Sequence, residues 1–267
     1  LRMKKLVTAF AACALAGLGY AQVESVNIVG YMTQTVNSKN NMVGLNFGRV
    51  GDGGAIAIQD LIPGDQTGLN KGSDASVADN IQVLGDTGYT AYYLSNGVFG
   101  KITDPAVNGK WVKSGETVAT ADTIPNGGAF WFISQTAATT PVTITLAGQV
   151  AQDATLSRQI KAGLNMIASG YASDVVLNAE GTGLNLGTKG ADASVADNIQ
   201  VLAGGAYTAY YLSNGIFGKI TDPAVDNKWV KSGETVATPD AIPAGASAWY
   251  INRGADFTWN HARPYDL

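Results

Sequence analysis

Hydrophobic and polar residues alternate in short runs that are typical of β-strands separated by turns. The clearest series comprises Asn80 to Leu84, Tyr89 to Leu94 and Val98 to Thr103. Turns are predicted between these runs at Gly85 to Gly88 and at Ser95 to Gly97, where an Asn-Gly pair tolerates the positive φ of a type I′ hairpin. The pattern predicts three antiparallel strands in a meander.

The composition also favours sheet and turn over helix. The chain has 33 Gly and 11 Tyr and few of the Leu-Glu-Lys-Arg runs that build helices. One short turn gives a helical signal, because Asp74 stands like an N-cap ahead of Ala75 to Asp79, and Asp192 is its counterpart. We therefore predict an all-β fold of antiparallel β-sandwich or barrel-like modules.

A long internal repeat organises the chain. Residues 71–135 recur without a gap at 189–253, an offset of 118, and about three quarters of the positions are identical. A recent duplication and a surface that both copies must present both explain such identity. The repeat predicts one module present twice.

The repeat continues upstream more weakly, where Gly44-Leu45-Asn46 matches Gly163-Leu164-Asn165. We predict β module copy 1 over 22–148 and copy 2 over 149–267. The alternating run Val142 to Leu146 predicts a strand rather than a flexible linker, so the two modules are expected to lie close together.

The N-terminal segment has the layout of a secretory signal peptide. Basic residues precede an apolar run from Leu6 to Leu18, and small residues lead to Ala21. We predict a signal peptide over 1–21, cleavage after Ala21, and a protein that is extracellular or on the cell surface, with the periplasm as an alternative. The competing hypotheses are an uncleaved anchor and lipidation of Cys13, the single cysteine of the chain.

The charge balance argues against nucleic acid as a partner. The chain has 17 Lys and Arg against 21 Asp and Glu, and removing the predicted signal peptide takes away three basic residues, which moves the net charge from −4 to −7. Nucleic-acid binding depends largely on Lys and Arg that neutralise phosphates. The predicted partners are a second copy of the chain or a surface polysaccharide.

Few residues offer catalytic chemistry. His261 is the single histidine, and the predicted mature chain has no cysteine, which excludes a His-rich metal site and a thiol nucleophile. Asp104 and Glu116, which recur as Asp222 and Glu234, could form the carboxylate pair of a glycoside hydrolase. Their positions beside Pro and Ser-Gly favour turn building instead, and we predict that the protein is not an enzyme.

No cofactor is predicted, with Ca²⁺ as the one metal that the composition allows. An Asp-x-Asp-x-Asp-Gly loop is missing from the sequence. The oxygen ligands available for Ca²⁺ in loop-rich regions are Asp65, Asp74, Asp79, Asn80, Asp192, Asp197 and Asn198.

Aromatic residues are the strongest candidates for contact with a ligand or partner. Along Tyr89 to Leu94, the side chain of Tyr92 points to the opposite face from those of Tyr89 and Tyr93. One face is expected to form core, so the other exposes aromatics, which commonly bind sugars or proteins. Packing between neighbouring strands is the alternative. The predicted contact residues are Tyr92, Trp111, Tyr210 and Trp229.

The order of motifs resembles that of a bacterial family. Each copy has a Gly-x-Asn opening, an Ile-x-Val strand beginning at Ile81 or Ile199, a Tyr-rich hairpin, and an Ile-Pro-x-Gly turn before Trp131 or Trp249. This is similar to uncharacterised secreted proteins of the Verrucomicrobiota type that are built from tandem small β modules. Leu45 stands where Trp is frequent in that pattern. The resemblance implies a secreted, non-catalytic β module and no particular ligand.

The leading hypothesis from sequence is a secreted, non-catalytic structural or adhesive protein of the cell surface or extracellular matrix. A carbohydrate-binding protein is the alternative, and a carboxylate-dependent glycoside hydrolase is a third. The first mature strand, Val26 to Val36, could pair with its own sheet or with a neighbouring molecule. A monomer with a covered edge is the competing expectation.

Overall fold

A computed structural model describes residues 28–36, 39–136, 140–203 and 205–266. The predicted signal peptide and Cys13 lie outside the described residues, as do Val26 and Asn27 of the predicted first strand. Strands account for 49% of the described residues and helices for 3%. The predicted all-β fold is confirmed, and no sheet closes into a barrel within the described ranges.

The strands are numbered in chain order. The first half contains β1 (Val29–Val36), β2 (Asn40–Gly44), β3 (Phe47–Gly48), β4 (Ile56–Ala57), β5 (Asn80–Gly85), β6 (Gly88–Leu94), β7 (Val98–Phe99), β8 (Ile102–Thr103), β9 (Trp111–Lys113), β10 (Thr123–Ile124), β11 (Ala129–Ile133) and β12 (Val142–Val150). The second half contains β13 (Thr155–Ile160), β14 (Gly163–Ile167), β15 (Val175–Val176), β16 (Asn198–Ala203), β17 (Ala206–Phe217), β18 (Ile220–Lys231), β19 (Ala241–Ile242), β20 (Ala248–Asn252) and β21 (Phe257–Ala262). The described residues also form two short helices: α1 (Ile58–Leu61) and a 3₁₀-helix (Pro105–Val107).

Each half is built on a five-stranded antiparallel sheet. The strand order is β2-β11-β5-β6-β9 in the first half and β14-β20-β16-β17-β18 in the second. These orders are equivalent, because every strand of one sheet has a counterpart at the same position in the other. The sequence repeat is thus a repeat of structure as well.

The strand register corrects the upstream match between the copies. Met42 lies opposite Trp131, and Met166 lies opposite Trp249. Gly44 is at the end of β2, whereas Gly163 is at the start of β14, so the two glycines are not equivalent. The match of Gly44-Leu45-Asn46 with Gly163-Leu164-Asn165 is therefore wrong, because pairing with the Trp strands fixes the alignment on the methionines.

One predicted hairpin turn is confirmed and the other is wrong. Gly85 pairs with Gly88 at the end of the β5–β6 hairpin, as predicted. The Asn-Gly pair does not reverse the chain, because in the second half β17 runs through Asn214 and Gly215 with a bulge in its pairing to β18. Gly215 takes up the bulge with a φ of 73°.

The chain reverses later than the sequence predicts. In the first half, Phe99 of β7 pairs with Ile102 of β8, so Val98 to Thr103 forms a short hairpin rather than one strand. The third strand of the meander is instead β9, which pairs with β6.

The core of the first half lies between two sheets. The five-stranded sheet contributes Ile81, Phe130 and Phe132, while β12 of the three-stranded sheet β1-β12-β3 contributes Ile144 and Leu146. All five side chains are fully buried. The arrangement is a β-sandwich, and a second core of the same kind occupies the other half.

The predicted boundary between the modules falls inside a strand. β12 continues to Val150, with Gln149 opposite Val29 and Val150 opposite Phe47. These pairings hold residues 149 and 150 in the sheet of the first half. β13 starts at Thr155 and pairs with β21.

Candidate binding groove at the junction of the two halves

The four aromatic residues predicted to contact a ligand are buried. Tyr92 and Tyr210 are 5% exposed, and Trp111 and Trp229 are 0% exposed. The expectation that they face solvent is wrong. Alternation placed Tyr92 on the opposite face from Tyr89 correctly, but the face that carries Tyr92 is the one that packs into the core.

Internal hydrogen bonds hold these buried aromatics. The Tyr92 hydroxyl donates to Asp122 Oδ2 at 2.7 Å, and the equivalent Tyr210 hydroxyl donates to Asp240 Oδ2 at 2.8 Å. Burial, followed by the hydrogen bond to Asp122, raises the pKa of the Tyr92 hydroxyl. These tyrosines are structural cross-links between each sheet and its neighbouring loop.

The aromatics that reach the surface lie on the other face of each sheet. Tyr89 and Tyr207 are each 46% exposed, while Trp131 and Trp249 are half-buried. The Trp131 indole donates to the Tyr89 hydroxyl at 3.2 Å, and the Trp249 indole donates to the Tyr207 hydroxyl at 3.3 Å. Each half therefore presents the same hydrogen-bonded Trp–Tyr pair.

The two outer faces pack against each other, which brings these pairs together. The Trp131 and Trp249 rings lie 6.5 Å apart between centroids, with their planes tilted by 55°. Met42, Met166 and Ala168 are buried in the same contact. The part of each outer face around these residues is thus covered by its counterpart.

Backbone pairing also joins the halves. The Gly44 amide donates to the Gly245 carbonyl at 2.8 Å, and Val43 forms a β-bridge with Ala246. A Cβ on Gly44 would overlap the carbonyl oxygen of Ala246. Glycine is required here because the two backbones approach too closely for any side chain.

Arg158 of β13 is a polar cross-link at the junction. Its guanidinium donates to the carbonyl of Gly127 in the first half and, at 2.6 Å, to the carbonyl of Met166. Burial lowers the pKa of Arg158 to about 10, so the group stays charged at neutral pH. Charge-assisted hydrogen bonds of this kind are stronger than neutral ones.

A groove opens beside the Trp–Tyr pairs. It consists of two adjoining cavities of about 330 and 160 Å³. Its walls are formed by Lys39, Asn40, Gln82, Tyr89, Trp131, Ile133, Leu202, Gly205 and Tyr207. Aromatic rings, amide groups and hydroxyls dominate this lining, and Lys39 is the one charged side chain among the wall residues.

A second cavity on the junction has a different character. Asp86 and Lys161, from opposite halves, form an ion pair at its wall, and Arg158 lies beside them. The charged cavity and the aromatic groove differ because equivalent wall positions differ. Asn40 and Leu164, for example, occupy the same register position in the two sheets.

The carboxylates considered for hydrolysis serve turns. Asp104 Oδ1 accepts from the Ala106 amide at 2.9 Å, and Asp222 Oδ1 accepts from the Ala224 amide at 2.9 Å. Glu116 is exposed in the turn that follows β9. These contacts agree with the turn-building alternative for the aspartates.

Two of the predicted calcium ligands, Asp74 and Asp79, accept hydrogen bonds from backbone amides. Asp74 Oδ1 accepts from the Ser76 amide at 2.8 Å. Asp79 accepts from the amides of Asn70 at 2.9 Å and Gln135 at 2.6 Å, while burial raises its pKa. Among the residues that the structure describes, no three His, Cys, Asp or Glu side chains are grouped to hold a metal ion. Calcium binding remains a prediction without a located site.

His261 lies in strand β21. It is 3% exposed in β21, and its Nδ1 lies 3.0 Å from the Ser169 carbonyl. Its ring stacks on Trp259 with centroids 5.5 Å apart. Burial lowers the pKa of His261, which favours the neutral imidazole of a packed side chain.

The exposed tyrosines of the groove, Tyr89 and Tyr207, could have been found from their positions in the sequence. Tyr89 and Tyr207 flank the tips of the equivalent hairpins, where strand residues are commonly exposed.

Within the described ranges, none of the helices has the length and apolar character needed to span a bilayer. No protein-family model, curated protein or solved structure matches the chain.

Proposed function

We propose that the chain is a non-catalytic structural or adhesive protein that acts outside the cell. The observation that carries this proposal is that the two copies pack directly against each other through their outer faces. Cross-copy contacts include the backbone bond from Gly44 to Gly245 and the guanidinium of Arg158 bound to Gly127. Such a junction holds the two equivalent Trp–Tyr pairs at a fixed spacing.

The chemistry of the described residues supports this proposal. The histidine is buried against Trp259, and Asp104 and Asp222 cap turns. The four aromatic residues predicted to contact a ligand, Tyr92, Trp111, Tyr210 and Trp229, pack into the cores. The aromatic side chains that stay exposed, those of Tyr89 and Tyr207, are suited to contact with a partner.

Localisation and loss of function test the proposal. Cells that produce the chain are treated with protease before lysis, and the protein is followed by immunoblotting. We expect protease-sensitive protein at the cell surface and reduced attachment or a weakened envelope when the chain is deleted. A protein that stays in the cytoplasm, or a deletion that changes neither property, would contradict the proposal.

A second candidate function is carbohydrate binding, and the junction groove favours it. Aromatic faces such as those of Tyr89 and Tyr207 stack on sugar rings, and amides such as that of Gln82 hydrogen-bond sugar hydroxyls. Apart from Lys39, the wall residues of the groove are uncharged, and a polyanion would need several cationic side chains, so the groove fits a neutral polysaccharide better.

Titration with neutral polysaccharides tests this candidate. Binding is measured by tryptophan fluorescence and calorimetry, because Trp131 lines the groove. We expect binding to be lost in the double variant Tyr89→Ala and Tyr207→Ala. The matched control is Tyr31→Ala, which removes a tyrosine that is 78% exposed and is not a wall residue of the groove. Equal binding by the double variant and the control would exclude the groove as the sugar site.

A further inference from the structure

Strand β1 is the edge of the sheet β1-β12-β3. It pairs with β12 at all eight positions from Val29 to Val36. Its other side has no strand partner among the described residues. An edge of this length presents a row of unpaired backbone donors and acceptors, which is a template for another strand.

The pairing pattern identifies the open groups. The Ile28 carbonyl accepts from the Val150 amide at 2.7 Å, which makes that pair a hydrogen-bonded one. In an antiparallel ladder bonded and non-bonded pairs alternate. The amides and carbonyls that point away from β12 therefore belong to Val29, Tyr31, Thr33 and Thr35.

The far side of β12 supports this assignment. Thr145 lies opposite Thr33, and its amide and carbonyl bond the side chain of Gln66 at 2.8 and 2.9 Å. These groups of Thr145 therefore point away from β1, as a non-bonded pair requires. The Gln66 side chain closes this edge of the sheet, while the opposite edge, at β1, has no strand partner in the described part of the chain.

Other sheet edges carry protection that β1 lacks. The carbonyl of Met166 at the edge strand β14 accepts from Arg158, and the amide of Gly44 at the edge strand β2 donates to Gly245. β18 contains several charged residues, and β9 contains Lys113. β1 has the sequence VGYMTQTV, with no charge and no proline. Natural proteins use charge and proline to block pairing between edges.

We propose that β1 pairs with β1 of a second copy of this chain, antiparallel, across a two-fold axis at Met32. This register places Tyr31 opposite Thr33 and Val29 opposite Thr35, so that all the open groups are bonded. It brings no like charges together and covers the side chain of Tyr31, which is 78% exposed in one molecule.

The occupant is a second copy for two reasons. In the mature chain predicted to start at Gln22, residues 22–27 are too short to turn back and pair along the whole of β1. The strand is also self-complementary, because an antiparallel copy of its uncharged sequence places Val29 and Tyr31 opposite the two threonines, Thr35 and Thr33. The inference rests on the proposed structural role, because pairing across a two-fold axis would join two such molecules into a closed dimer.

Size measurements test the proposal on protein that has been exported and purified. We expect sedimentation and light scattering to show a concentration-dependent dimer, and Thr33→Lys to raise its dissociation constant at least about tenfold. Thr155→Lys is the matched control, because Thr155 is an exposed threonine in β13, the counterpart of β1. Circular dichroism and urea unfolding confirm that each variant is folded.

Cysteine cross-linking tests the register of the two β1 strands. Cys13, the single cysteine of the chain, lies in the predicted signal peptide, so the predicted mature chain has no natural cysteine that could interfere. Mixing Tyr31→Cys with Thr33→Cys should give a disulfide, because Cα atoms of bonded pairs lie about 5.5 Å apart. Mixing Thr33→Cys with Thr35→Cys should not, because the two sites would be displaced by roughly 13 Å along the strands.

A monomer at all concentrations, an unchanged dimer in Thr33→Lys, or equal cross-linking in both mixtures would overturn the proposal. These results would leave the proposed role outside the cell standing, because localisation and attachment are measured separately. A cytoplasmic protein that still dimerises through β1 would refute the role and retain the pairing.

Discussion

Trp111 and Trp229 form a matched pair for measuring how much one buried hydrogen bond contributes to the free energy of unfolding. Both are 0% exposed, and they occupy equivalent positions opposite Leu94 and Leu212. The Trp111 indole donates to the Ile62 carbonyl at 2.6 Å. The Trp229 indole nitrogen is buried without a hydrogen-bond partner among the described residues.

The perturbation is Trp→Phe at each position, which removes the N–H and leaves a large apolar ring. Loss of size lowers the free energy of unfolding in both variants, so it largely cancels in the comparison. Trp111→Phe also leaves the Ile62 carbonyl without this donor, which costs about 1–3 kcal/mol. Trp229→Phe removes an unsatisfied buried donor and recovers a desolvation cost of similar size. Trp111→Phe should therefore be more destabilising than Trp229→Phe by about 2 kcal/mol or more.

Urea unfolding of the mature protein, followed by far-ultraviolet circular dichroism, measures both variants. The m-values should equal that of the wild type, so that the change in midpoint reports stability. The double variant should show additive losses, because Trp111 and Trp229 belong to different cores. Equal losses at the two positions, or a larger loss at Trp229, would refute the reasoning.

Two further predictions concern the junction and the buried imidazole. Gly44→Ala should lower the free energy of unfolding by about 1–3 kcal/mol, because the new methyl overlaps the Ala246 carbonyl. Gly85→Ala, whose Cβ would be 3.5 Å from its nearest neighbour, the Gly88 carbonyl oxygen, is the control and should stay near wild type in thermal unfolding. The pKa of His261 is lower in the folded chain than in the unfolded chain, where it is about 6.5. Below that pH the unfolded chain therefore binds more protons than the folded chain, and the free energy of unfolding decreases as the pH falls. The stability advantage of wild type over His261→Phe should shrink between about pH 7 and about pH 5, and a constant difference would contradict this assignment.

The sequence by itself determined the local structure well. Alternation and the Gly-rich turn predicted the β5–β6 hairpin, because a two-residue period and a tight reversal depend on neighbouring residues alone. The long repeat likewise predicted two copies of one strand order. The Asn214-Gly215 pair misled because cross-strand pairing with β18 absorbed the positive φ as a bulge.

The tertiary structure alone decided which faces are buried and where the candidate groove lies. Alternation separates Tyr92 from Tyr89, but it cannot tell which of the two faces will meet a core. The outer faces of the two halves meet around Trp131 and Trp249, a contact between residues far apart in the chain. The free energy of that contact depends on the shapes of two folded sheets, and no local pattern in the sequence encodes it.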